Sequence, residues 1–135
     1  MATVTKVFSF SEALSEKVHN LGSDVLTIAL TNTAPTTANT VLANITQISY
    51  TNCSTRVITT TSSAQTSGTY KLVLADLTLT ATGIVGPFRY VVIYNDTATN
   101  DELIGFSDYG SSITLNSGDT FVCDFDGAAG ALTLV

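Results

Sequence analysis

At 135 residues with 44% of them hydrophobic, the chain holds one domain's worth of polymer and enough apolar surface for a single core. Five Lys and Arg against eleven Asp and Glu give a net charge of −6, which argues against a nucleic-acid binder and against a cationic membrane-surface protein. Hydroxyls carry the polarity instead, through 24 Thr and 13 Ser, and β-branched Thr favours sheet over helix.

Residues 1–10 lack the long apolar core of a secretory signal, and no stretch reaches the 18 apolar residues of a membrane span. Synthesis and folding in a cytoplasm is the expectation. The one helical pattern covers residues 11–22, where Ala13, Leu14, Val18 and Leu21 share a stripe. Ser9 or Ser11 can cap its start, and Gly22 stands as its stop. Val25 to Leu30 then reads as a strand, and Thr31 to Asn39 as an exposed loop rich in turn formers.

From there the pattern is sheet. Ile45 to Tyr50 and Arg56 to Thr61 read as short strands, and Ser62 to Gly68 as a polar hairpin loop. Tyr70 to Ala81 alternates, but Leu72 and Leu74 fall out of phase with Leu77 and Leu79, which predicts a β-bulge near Ala75-Asp76. Phe88 to Tyr94 follows Pro87, a residue suited to a strand's first position. A polar tip at Asn95 to Asp101 leads into Leu103 to Tyr109. Ser112 to Leu115 and Thr120 to Phe125 read as another hairpin, and Ala131 to Val135 closes the chain. Eight or nine short strands without helical crossovers predict an all-β protein, an antiparallel β-sandwich of jelly-roll type with one short N-terminal helix. Residues 1–135 then form a single domain.

Candidate chemistry is thin. The single histidine, His19, falls on the polar side of the predicted helix with no nucleophile elbow in the chain, so it reads as a solvated helix-end residue. Cys53 and Cys123 fit no metal or redox spacing and read as buried free thiols, with a disulfide between them as the alternative. Asp124 and Asp126, two apart, would share a face of a strand. Asp96, Asp101 and Glu102 cluster at a loop tip, and neither acidic set fits a calcium loop. The segment Gly83 to Pro87 lacks the Lys and following helix of a phosphate loop. The triplets at Asn44, Asn52 and Asn95 read as accidents of a Thr-rich chain. The expectation is a non-enzymatic protein without a cofactor or metal. Its aromatic residues Phe88, Tyr90, Tyr94, Phe106, Tyr109, Phe121 and Phe125 read mainly as core, with an exposed tyrosine or two marking an interface.

Four stretches, Leu26 to Thr46, Thr61 to Leu79, Gly86 to Asp96 and Leu103 to Phe125, resemble a family of small tailed-bacteriophage virion proteins, the capsid decoration or cement proteins. The resemblance implies a homotrimer on the outer capsid surface of the virion, made in the host cytoplasm and bound to the major capsid protein. There it would stabilise contacts between capsomers. A second reading within the same virion class is a tail or head fibre component acting as a receptor- or glycan-binding module. For a cement protein, Val4, Phe8, Phe10, Tyr50 and Tyr109 are the candidate partner-binding residues. Val4, Phe8 and Phe10 alternate imperfectly with polar neighbours, so residues 1–10 read either as an arm adding a strand to a neighbour or as an edge strand of the domain itself.

Overall fold

A computed structural model describes residues 3–135. Its elements run β1 (Thr5–Lys6), α1 (Phe10–Ser15), β2 (Leu26–Thr31), a 3₁₀ turn (Leu42–Asn44), β3 (Val57–Ile58), β4 (Thr60–Thr66) and β5 (Thr69–Leu74). They continue through β6 (Leu77–Thr80), β7 (Val85–Asn95), β8 (Leu103–Leu115), β9 (Thr120–Cys123) and β10 (Leu132–Leu134). The protein is all-β, and every strand pairing is antiparallel. A five-stranded sheet has the order β1-β8-β7-β2-β3, a three-stranded sheet β10-β5-β4, and a two-stranded sheet β6-β9. All three sheets contribute to one hydrophobic core.

Strand β2 lies between β7 and β3, and all six of its residues are buried. It pairs with β7 along its whole length but with β3 only at Leu26 and Thr27. The rest of its second edge is covered by irregular chain. Ile48 N–H donates to the Leu30 carbonyl (3.0 Å), Leu30 N–H donates to the Tyr50 hydroxyl (2.9 Å), and Ile28 N–H donates to the Arg56 carbonyl (3.0 Å). The Arg56 guanidinium in turn donates to the Ile28 carbonyl (2.6 Å). The strand expected at Ile45 to Tyr50 is therefore not a strand. Side chains of the following residues take hydrogen bonds that a regular ladder would supply, so the backbone need not be extended in register.

Further expectations are corrected. The phase break at Ala75-Asp76 is a corner: β5 ends at Leu74 in one sheet and β6 begins at Leu77 in another. Leu72, Leu74 and Leu79 nevertheless all enter the core. Ser62 to Gly68 is mostly strand, because β4 runs to Thr66 and only Ser67 and Gly68 form the turn, with φ of 50° and 87°. Two positive-φ residues are what a tight hairpin of right-twisted strands requires. Ser112 to Leu115 does not pair with Thr120 to Phe125; it extends β8 along β7, and β9 crosses to β6. The turn between them docks on the end of β6, where Gly118 N–H donates to the Ala81 carbonyl (2.8 Å). Pro87 lies inside β7, between Val85 and Phe88, where the register with β8 slips, the kind of irregularity that tolerates a residue without an N–H.

The helix is half its expected length. It ends at Ser15, and Lys17 turns left-handed (φ 67°). Lys17 N–H donates to the Leu14 carbonyl (3.3 Å) and Val18 N–H to the Ala13 carbonyl (2.8 Å), the two bonds of a Schellman stop. This early turn sends His19 inward, contrary to the solvated position expected for it. His19 is 3% exposed and stacks on Phe10 at 5.5 Å between ring centroids. Its Nδ1 lies 3.0 Å from the amide nitrogen of Asn95, which also donates to Asp24 (2.7 Å). The Asn95 carbonyl oxygen accepts from Thr97 and Ala98 N–H (3.0 and 3.1 Å). One buried asparagine thus ties two points of the segment between α1 and β2 to the loop before β8.

Candidate interaction surface

The N-terminal segment lies along the outer edge of β8, with Thr5 opposite Phe106 and Lys6 opposite Gly105. Within residues 1–10, Thr5 and Lys6 form a short edge strand of the domain itself, residues 7–9 turn, and Phe10 opens α1; Met1 and Ala2 lie outside the described residues. Gly105 makes the seat: a Cβ there would come within 2.6 Å of the Thr5 carbonyl oxygen and 2.8 Å of a Val4 methyl. Val4 is half-buried and packs on the core beside this seat. Val7 N–H donates to the Ile104 carbonyl (3.1 Å) and Phe8 N–H to the Thr37 carbonyl (2.9 Å). The outcome is a tightly held segment with one large apolar side chain turned outward. Val7 is 3% exposed and Phe10 1%, whereas Phe8 between them is 74% exposed.

The other sequence candidates divide by environment. Phe10 belongs to the core, with its ring on His19, and has no surface to offer a partner. Tyr50 is half-buried: its hydroxyl accepts from Leu30 and donates to Gln47 Oε1 (2.8 Å), and Arg56 lies 3.6 Å over its ring. Burial is the main cause that pushes the Tyr50 hydroxyl pKa upward. Tyr109 is 46% exposed and rests edge-on against Phe121, which meets Phe88 in the same manner. Beside it, Arg89 grips Asp108 through two hydrogen bonds (2.8 and 3.1 Å), which hold the Asp108 carboxyl below its usual pKa. Lys6 pairs with Gly105 and the chain then runs away from Tyr109, which lies four residues along β8 on the other side, so Phe8 and Tyr109 are separated along that strand by more than about 13 Å. The five candidates do not form one patch.

The acidic and sulfur residues have structural tasks. Asp124 and Asp126 follow β9 instead of sharing a strand face. Asp124 accepts from Asp126 N–H (3.0 Å), and Asp126, at φ 45°, accepts from Ala128 and Ala129 N–H (3.2 and 3.1 Å). Both cysteines are free; Cys123 is buried, and burial pushes its thiol up to about 12. Asn44 and Asn52 spend their side-chain amides on neighbouring backbone, at Thr40 and Val41 (3.0 and 3.2 Å) and at Ile84 (3.3 Å). An open groove of about 470 Å³ lies between the 3₁₀ turn and the loop before β8, with Leu42, Ala43 and Ile45 as its apolar part and Gln47, Asn100 and Asp101 as its polar part.

Sequence reasoning passed over the β4 edge, because a run of Thr and Ser resembles a loop. The signal available was the Ser67-Gly68 pair between Thr66 and Thr69, a two-residue turn flanked by β-formers. Compared with protein-family models, with curated proteins and with solved structures, the chain gives no match to any.

Proposed function

We propose that this chain is a non-enzymatic capsid decoration (cement) protein of a tailed bacteriophage. In this reading it acts as a homotrimer on the outer capsid surface, binds the major capsid protein and stabilises contacts between capsomers. We further infer that its three sheets are sections of a jelly-roll sandwich, since β5–β6 and β8–β9 each switch sheets across a short corner. The resemblance supports the reading through the stretches that form β2, β5 to β6, β7 and β8. The observation that carries it is Phe8, an exposed aromatic ring in the turn between buried Val7 and Phe10, just after the strand seated by Gly105. An apolar anchor that is already ordered loses little freedom on docking. A protein that binds the assembled shell better than free subunits stabilises the shell by that difference.

Burying a phenyl ring contributes about 1.5–3 kcal/mol, so Phe8→Ala should weaken binding to stripped capsids roughly 10- to 100-fold. Its melting temperature should stay at the wild-type value. Equal binding by Phe8→Ala would remove Phe8 as the anchor. Wild-type protein that neither rebinds capsids nor raises the heat threshold for genome release would remove the decoration reading. The groove beside Gln47, Asn100 and Asp101 favours a second reading, a fibre component that binds a receptor or glycan. Binding of the isolated protein to host cells, lost on Asp101→Ala, would support that one instead.

A further inference from the structure

Most sheet edges of this protein are short, covered or charged. β1 and β3 have two residues each, with Lys6 in one and Arg56 preceding the other. β10 is bridged by the Lys6 ammonium, which donates to the Thr133 carbonyl (3.2 Å). The outer side of β6 is met by Ser54, whose N–H donates to the Thr80 carbonyl (3.1 Å), and β9 lies between Asp119 and Asp124. These are the ordinary devices that stop strands from pairing with strangers.

β4 is neither short, covered nor charged, and its one irregularity is a register shift against β5 at its start, between Thr60 and Ser62. It is seven residues long, with the sequence TTSSAQT, and five of the seven are exposed. Among the described residues, no backbone hydrogen bond from any element other than β5 reaches it. Residues 57–75 contain one charged side chain, Lys71, whose ammonium is turned away to the Ala128 carbonyl (2.9 Å). All eleven acidic residues lie outside that span. On a chain of net charge −6, β4 is thus a stretch where two copies can approach without like-charge repulsion.

We propose that β4 is a homotypic contact: two copies of this chain join by antiparallel pairing of their β4 edges about a two-fold axis near Ser63. The hairpin geometry selects that centre. With the Thr66–Thr69 pair closing a two-residue turn, alternate residues Ser63 and Gln65 point their N–H and C=O groups to the free side. Pairing Ser63 with its own copy makes a six-stranded sheet, β10-β5-β4 continued by β4-β5-β10, and an isologous interface. Roughly four new backbone hydrogen bonds form, with Ala64 of each copy opposite Ser62 of the other. Such a small polar interface belongs to the weak, transient class of association. The contact does not depend on the capsid reading and differs from the threefold contact implied there.

Sedimentation of the full chain from about 10 µM to about 1 mM tests it. The weight-average mass should rise from 14.1 kDa towards twice that value, and Ser62→Lys with Ala64→Lys, which sets lysine opposite lysine at exposed positions, should abolish the rise. A wild type that stays monomeric throughout, or self-association that persists in the folded double variant, overturns the proposal. Should the variant not fold, amide exchange of the wild type decides: Ser63 and Gln65 amides must exchange at least several-fold more slowly at high concentration, and unchanged exchange overturns it.

Discussion

Replacing Tyr50 by Phe removes one oxygen atom and leaves the ring on which Arg56 stacks. That oxygen accepts from Leu30 N–H at 2.9 Å and donates to Gln47 at 2.8 Å. Leu30 is fully buried in β2, so its N–H has no water to turn to. A buried donor left without an acceptor costs about 1–3 kcal/mol, whereas a solvent-side hydrogen bond contributes about 1 kcal/mol or less. The first effect dominates, and a loss of about 1.5–3 kcal/mol is expected. At about 2.1 cal/mol/K per residue, a chain of 135 residues has an unfolding entropy of roughly 0.28 kcal/mol/K. The melting temperature should therefore fall by about 5–10 °C in thermal unfolding followed by circular dichroism. Gln47→Leu, which spares the Leu30 bond, should cost less than half as much. A Tyr50→Phe protein within about 0.5 kcal/mol of wild type would refute the account of how the second edge of β2 is closed.

Two further outcomes follow from the same geometry. Gly105→Ala places a methyl where the Thr5 carbonyl oxygen would be 2.6 Å away, so the N-terminal segment should lift off β8 at a cost of about 1–3 kcal/mol. Trypsin should then cut after Lys6 at least tenfold faster; an unchanged cleavage rate would mean that Gly105 is not the seat. His19 gives a pH dependence. Burial lowers its pKa and outweighs the opposing pull of Glu102, Asp24 and the Leu103 backbone. The folded state thus binds fewer protons than the unfolded state below the ordinary value of about 6.5. Stability is full above that pH and declines as acid is added down towards the folded value. Because the chain has no other histidine, unfolding titrations between pH 7 and 5 should slope in wild type and flatten in His19→Gln; parallel slopes would exclude His19 as the cause.

Local pattern carries far in this chain where packing follows it, and stops where tertiary contact decides. Strands β2, β7 and the first half of β8 were readable because their apolar runs serve a single core and nothing overrides them. The leucines at 72, 74, 77 and 79 show the boundary. Their phase break is plain in the sequence, yet a bulge and a sheet-switching corner produce the same break, and only the pairing of β6 with β9 tells them apart. The helix shows another. Val18 and Leu21 continue an apolar stripe, but only Leu21 enters the core, after a turn at Lys17 that no helical period describes. His19 was misplaced for that reason: its position on a helical wheel has no meaning once the helix has ended.

The interaction surface was less legible, because exposure is a property of the packed molecule and not of residue type. Phe8 and Phe10 are the same amino acid two positions apart, and their fates are opposite. The difference arises because β1 ends at Lys6 and α1 begins at Phe10, so strand alternation does not relate the two rings. Tyr50 and Tyr109 repeat the lesson. One hydroxyl closes a gap beside β2 left by irregular chain, whereas the other ring ends a row of aromatics at the surface. A Thr- and Ser-rich composition compounds the difficulty, since the same residues make exposed loops and exposed strands. What separates β4 from a loop is its partner β5, whose alternate residues Leu72 and Leu74 are buried and pull the hairpin into register. A surface built of hydroxyls and a few fixed apolar rings is suited to adhesion by many weak contacts, and the long uncharged edge of β4 is where that tendency should first be measured.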